Sequence, residues 1–185
     1  QKIGDESEID KLEREVDGLI GMQAAKDWLH SLKQVVALVN KTGDRSPLKM
    51  CLNMVVTGSP GTGKTTFARL ASRFLVAHGM LSKSHFVERN ALNLKGEYVG
   101  STAPIVQEAV QEAMGGCLFI DEAYTLAGAA ADDDGTSGGD SFGKEAVRTL
   151  LTETENNRAN LMVILAGYKD PMARMMRLDP GLDRR

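Results

Sequence analysis

The chain has little that would tie it to a disulfide framework, a metal, a membrane or a nucleic acid. Only two cysteines stand among its 185 residues, Cys51 and Cys117, and each opens an apolar run. A thiol at the start of a buried strand acts as a small hydrophobe, so neither a disulfide nor a metal pair is expected. Free thiols suit a reducing compartment, whether bacterial cytoplasm, eukaryotic cytosol or plastid stroma. The three histidines, His30, His78 and His85, fall on different predicted elements. They read as surface or element-end residues, not as ligands or general bases, and metal-ligand spacing is absent. Formal net charge is only -3, and the lysines and arginines form no stripe, which argues against a nucleic-acid partner. No apolar run nears the roughly 20 residues a helix needs to cross a bilayer. The opening residues Gln1-Lys2-Ile3-Gly4-Asp5-Glu6-Ser7-Glu8 form neither a secretory signal nor a transit peptide. No internal repeat is visible. What is left is an ordinary α/β composition, 42% hydrophobic and 25% charged, with enough apolar residues to bury one core.

Against that plain background one stretch is specific. Gly58-Ser59-Pro60-Gly61-Thr62-Gly63-Lys64-Thr65 fits G-x-x-x-x-G-K-[ST], the phosphate-binding P-loop. Cys51-Leu52-Asn53-Met54-Val55-Val56-Thr57 before it reads as a short buried strand. After it, Phe67, Ala68, Ala71, Phe74 and Leu75 recur at helical spacing. Glycines in such a loop let backbone N–H groups turn inward around phosphate oxygens, and the following helix adds its positive end. Residues Gly58 to Thr65, with Thr66 next to them, are therefore expected to bind nucleotide. Lys64 would reach the β- and γ-phosphates, and the Thr65 hydroxyl would hold Mg²⁺.

A second motif completes the first. Gly116-Cys117-Leu118-Phe119-Ile120-Asp121-Glu122 is an apolar strand ending in two carboxylates, a Walker B pattern at the carboxyl edge of a parallel sheet. Asp121 can accept Mg²⁺-bound water, and Glu122 can polarise the water that attacks the γ-phosphate.

The remaining elements alternate as a parallel sheet requires. Met22, Ala25, Leu29, Leu32, Val36 and Val39 mark a helix ending near Thr42-Gly43, and the helix after the P-loop ends near Gly79. Phe86-Val87-Glu88 suggests a short strand, and a loop runs through Asn93 to Gly100. Ser101 or Thr102 then caps a helix carrying Ile105, Val106, Ala109, Val110, Ala113 and Met114. Residues 127–139, with Asp132-Asp133-Asp134 and several glycines, read as a mobile loop. Phe142, Ala146, Val147, Leu150 and Leu151 mark a helix, Leu161 to Ala166 a buried strand, and residues 170–185 a short helix followed by the turn Asp179-Pro180-Gly181.

The P-loop, Asp121-Glu122-Ala123-Tyr124, Leu165-Ala166-Gly167-Tyr168 and Asp179-Pro180-Gly181-Leu182-Asp183-Arg184-Arg185 together resemble the AAA+ ATPases. Within them the chain is most similar to the CbbX/CfxQ group, whose best-known members are red-type Rubisco activases, and the likeness runs from about Asp17 to Arg185. The resemblance implies a P-loop NTPase three-layer sandwich with a mainly parallel sheet. It makes residues 1–16 an N-terminal extension and 17–185 the large nucleotide-binding subdomain, ending before a fifth strand and a C-terminal helical lid.

The same resemblance assigns further roles. Gly18-Leu19-Ile20-Gly21 resembles the segment that covers the adenine, so Leu19, Ile20 and Gly21 join the nucleotide contacts. These residues equally fit a hydrophobic staple ahead of a helix. Gly96-Glu97-Tyr98-Val99-Gly100 is similar to the pore loop with which AAA+ rings grip a polypeptide. There Tyr98, Val99 and Gly100 would meet the client, an aromatic ring being a large and sequence-tolerant contact. Arg185 aligns with the arginine finger donated by a neighbouring subunit, with Arg184 its adjacent rival. A finger acting in trans implies assembly, and the family implies a homo-hexamer. Where many relatives carry a sensor Asn, this chain has Tyr168-Lys169, so either could serve. The implied activity is Mg-dependent ATP hydrolysis driving remodelling of a protein client, with Rubisco the specific client the likeness offers. A nucleotide-gated binding module with little turnover and the ATPase of a secretion-type assembly are the alternatives. A nucleic-acid motor and a small-molecule kinase fit less well.

Overall fold

The computed structural model describes residues 6–18, 23–43, 52–127, 141–158 and 160–178. Leu19, Ile20 and Gly21, Cys51, residues 128–139 of the expected loop, and Arg184 and Arg185 lie outside the described residues.

Four strands form one sheet: β1 (Met54–Thr57), β2 (Phe86–Asn90), β3 (Cys117–Asp121) and β4 (Met162–Gly167). Their spatial order is β1-β4-β3-β2, every pair parallel. Three crossover helices follow from that order. From β1 the chain crosses the whole sheet through α3 (Lys64–Ala77) to reach β2 at the opposite side. It then steps back one strand at a time, through α4 (Thr102–Ala113) to β3 and α5 (Ser141–Asn156) to β4. Right-handed crossovers made in opposite directions put their helices on opposite faces, so α3 covers one side and α4 and α5 the other.

Strand side chains alternate between these two layers. Cys117, Phe119, Met162 and Ile164 pack with Phe67 and Leu75 of α3, and with Leu29 and Leu32 of α2 (Gln23–Thr42). Leu118, Ile120, Val163 and Leu165 pack with Val106 and Val110 of α4, Leu150 of α5, and Met172 of α6 (Lys169–Leu178). Both faces being covered explains why β3 and β4 read as unbroken apolar runs rather than alternating ones. The expected parallel α/β sandwich is thus present.

Three differences from the sequence-based expectation matter. The first 16 residues include a helix, α1 (Glu6–Asp17), with Leu12 and Val16 buried in the same core as α3. Arg73 of α3 pairs with Glu15 at 3.0 Å, and Lys33 of α2 with Glu13 at 2.6 Å. Secondly, β2 runs on to Asn90, opposite Asp121. Thirdly, Ser101 occupies the position before α4 but makes no side-chain cap, and Thr102 is the first helical residue.

Cys117 is fully buried, and burial pushes its thiol up to about 12. His30 and His85 are exposed. His78 ends α3 as expected, yet it is buried, stacked on Phe74 with ring centroids 4.0 Å apart. Among the described residues no helix is long and apolar enough to cross a membrane.

Candidate nucleotide-binding site

The sheet order sets out the site. β4 lies between β1 and β3, so the loop leaving β1 and the acids leaving β3 flank the carboxyl end of β4. Open α/β sheets bind ligands at such ends, where the direction of chain winding reverses. Here a cavity of about 480 Å³ is lined by the loop from Pro60 to Thr66, by Asp121, Glu122 and Tyr124, and by Gly167 and Tyr168.

The ladder holds the base of the loop, with Gly58 N–H donating to the Gly167 carbonyl at 3.2 Å. A side chain at Gly58 would meet Thr62 Oγ1 at 2.7 Å, and that hydroxyl donates to the Ser59 carbonyl at 2.8 Å. Gly61 and Gly63 have φ of 71° and 82°, left-handed values that glycine adopts without strain. Gly63 is also the N-cap of α3, and no side chain caps that end. First-turn N–H groups of α3 are therefore left for an anion, reinforced by the positive end of the helix. Lys64 Nζ donates to the carbonyls of Gly58 and Ser59 at 3.1 and 2.9 Å, and sits 5.8 Å from the centre of the Tyr168 ring.

On the other wall, β3 delivers Asp121 and Glu122. Glu122 has φ of 51°, the only positive value among non-glycine described residues. Its N–H donates to Asp121 Oδ1 at 2.9 Å, its carbonyl accepts from the Thr125 N–H and hydroxyl at 2.9 Å each, and Asn90 Nδ2 donates to its Oε2 at 3.1 Å. Asn90 in turn accepts from the Leu92 N–H at 3.0 Å. Tyr124, two residues on, stacks on Tyr168 with centroids 5.8 Å apart. Its phenol is held above the usual range, chiefly by burial and then by the nearby charges of Glu122, Tyr168 and Asp121.

The structure thus brings Pro60 to Thr66, Asp121, Glu122 and Tyr168 around one cavity, with Gly58 and Ser59 at the base of the loop. Lys169 begins α6 and is exposed, outside that lining. Tyr98, Val99 and Gly100 stand apart from it and are exposed. Sequence reasoning missed Asn90 and Tyr124 as site residues. No local pattern marks either one: Asn90 is placed by the register of β2, opposite Asp121, and Tyr124 by its stack on Tyr168.

A phosphate-cradling loop, a capless helix start and a paired acid on the next strand but one define a P-loop nucleotide-binding domain. Residues 54–185 match the family model described as "ATPase family associated with various cellular activities (AAA)", and the chain belongs to that family. Stage V sporulation protein K of Bacillus subtilis is 37% identical over 182 residues, covering 96% of this chain and 53% of that protein. The chloroplastic ribulose bisphosphate carboxylase/oxygenase activase of Cyanidioschyzon merolae is 39% identical over 180 residues, covering 96% and 58%. Protein CfxQ of Xanthobacter flavus is 38% identical over 186 residues, covering 97% and 56%. The likeness to the CbbX/CfxQ group read from the motifs is therefore found in whole-chain similarity as well. The chain spans a little over half the length of these relatives.

Proposed function

We propose that the protein is an ATP-hydrolysing motor that assembles into a ring, a hexamer by family likeness, and remodels a protein client. In this reading residues 17–185 are its large nucleotide-binding subdomain. The observation that carries it is the convergence of Lys64, Thr65, Asp121 and Glu122 on one cavity at the carboxyl end of the sheet. The donor set fits Mg·ATP: free N–H groups at the start of α3 for phosphate, and the Thr65 hydroxyl and Asp121 carboxylate for Mg²⁺. When bound, the metal supplies positive charge against the phosphate oxygens. Lys64 exchanges its loop carbonyls for phosphate oxygens, and Leu19, Ile20 and Gly21 cover the base. Glu122 accepts the proton of the attacking water, while Tyr124 and Tyr168 wall off that end of the cavity and limit access of other water. Arg185 of a neighbouring subunit, with Arg184 beside it, neutralises charge on the transferring group.

Tyr98, Val99 and Gly100 grip the client. Tyr98 is 70% exposed and Val99 95%, which supports a contact role over a packing one. A Rubisco client is the specific reading suggested by the activase among the relatives. A sporulation protein of comparable similarity keeps the client class wider than that.

Replacing Glu122 with Gln tests the core of this reading. The variant should bind Mg·ATP as the parent does and lose at least about 100-fold in turnover, the lower range for a missing general base. Near-normal hydrolysis by Glu122→Gln removes Glu122 from that role. A nucleotide-gated binding module with little turnover is the second reading, favoured by the bond that occupies Glu122 with Asn90. Nucleotide-dependent client binding with negligible hydrolysis at every protein concentration would decide for it.

A further inference from the structure

The segment between Lys95 and α4 is fastened by side chains rather than left free. Ser101 Oγ accepts from the Tyr98 N–H at 3.2 Å and donates to the Tyr98 carbonyl at 2.7 Å, while the Ser101 N–H donates to that same carbonyl at 3.1 Å. One serine thus closes both backbone polar groups of Tyr98. Next to it, the Gly96 N–H donates to Thr102 Oγ1 at 3.0 Å, and Thr102 is fully buried. There is no room for a larger residue under this clasp, because a Cβ on Gly96 would stand 1.9 Å from Ser101 Oγ. Gly100, at φ of 84°, makes the turn that returns the chain to the helix.

Ser101 stands where a serine ordinarily caps a helix, and its hydroxyl forgoes that bond. The group is spent on Tyr98 instead. Its effect is to hold two exposed apolar side chains, Tyr98 and Val99, on a fixed turn, neither of them packed into a hydrophobic cluster of the described residues. An unfastened turn would sample many arrangements and lose that freedom on contact, which weakens binding.

We infer that Ser101 is a positioning residue for the client contact. It locks the backbone of Tyr98 to the start of α4, so that the tyrosine moves as one body with that helix. The inference rests on the reading of Tyr98 as a gripping residue. It replaces a glycine-hinged, freely swinging loop by one whose displacement is that of α4. Val106, Ala109 and Val110 pack α4 on α5 and the sheet, so a shift of α4 would carry Tyr98 with it.

The test uses the full-length protein and two readouts. Amide hydrogen exchange at Tyr98 reports the clasp alone. Equilibrium binding of fluorescein-labelled casein, an unfolded polypeptide, reports the grip. Ser101→Ala should speed exchange at Tyr98 about tenfold and weaken casein binding by about three- to tenfold, with circular dichroism confirming that the helices persist. Ser101→Thr, which keeps the hydroxyl, should restore both. Unchanged protection of Tyr98 in Ser101→Ala overturns the clasp. Faster exchange with unchanged casein binding, while Tyr98→Ala binds casein poorly, overturns the positioning role. Casein binding that ignores Tyr98→Ala overturns the grip itself, and the exchange readout still judges Ser101 separately.

Discussion

Glu122 occupies a backbone region that a residue with a long side chain enters at a cost of about 1–3 kcal/mol. Four hydrogen bonds from Asp121, Thr125 and Asn90 hold it there. The bond to Asn90 has a direction, because Asn90 belongs to β2, on the far side of β3 from the P-loop strand. It ties the carboxylate to the β2 side of the site. Asn90→Ala should therefore raise basal Mg·ATP turnover several-fold at unaltered nucleotide affinity, measured by steady-state kinetics and fluorescent-nucleotide titration. A fall in turnover would mean that Asn90 aims Glu122 instead of restraining it. The P-loop and the acid pair were legible because each is contiguous in sequence and its backbone demands show as residue types. Asn90 and Tyr124 were not. Their roles come from strand register and from a ring stack across two elements, neither of which leaves a local pattern.

Among the elements, α1 was the one missed, and the reason is physical. Twelve residues with Ile9, Leu12 and Val16 as its main apolar positions form too thin a stripe to stand out in a charged segment. Its helicity depends on the surface it lands on. Leu12 is fully buried, so Leu12→Ala should lower stability by about 2–5 kcal/mol, read as a lower urea midpoint. A loss below about 0.5 kcal/mol would show that α1 sits loosely on α3, since surface changes fall in that range. At the end of α3, burial is the main cause that lowers the pKa of His78. The Phe74 carbonyl and Glu13 oppose the shift, and Lys33 adds to it. The folded state thus holds His78 neutral where the unfolded chain takes up a proton near 6.5. Stability is full above that pH and falls as pH drops from it through the lower folded value. Thermal melts of His78→Phe should lose this part of the acid dependence while keeping a ring on Phe74. An unchanged pH profile would assign the dependence to other groups. The longer helices were legible from their period and β3 and β4 from their unbroken apolar runs, with α3 and α5 meeting their expected apolar faces.

At the scale of the whole molecule, the proposed reading of Arg185 as a finger acting in trans would make activity a property of the assembly. Turnover per subunit of the full-length protein should rise with protein concentration, and Arg185→Ala should stay flat at the lower level, with Arg184→Ala as comparison. A concentration-independent rate in the parent would argue that each subunit completes its own site. The sheet carries a different consequence, for how the protein is made. Among the described residues β1 pairs with β4, Met54 opposite Ile164, and Asn53 Oδ1 accepts from the Val163 N–H across 110 positions. A ribosome synthesises the P-loop early and its supporting strand late, and pairing over such separations is slow. Until β4 emerges, the phosphate loop hangs from an unsupported strand, so nucleotide cannot select the fold before most of this chain has left the exit tunnel.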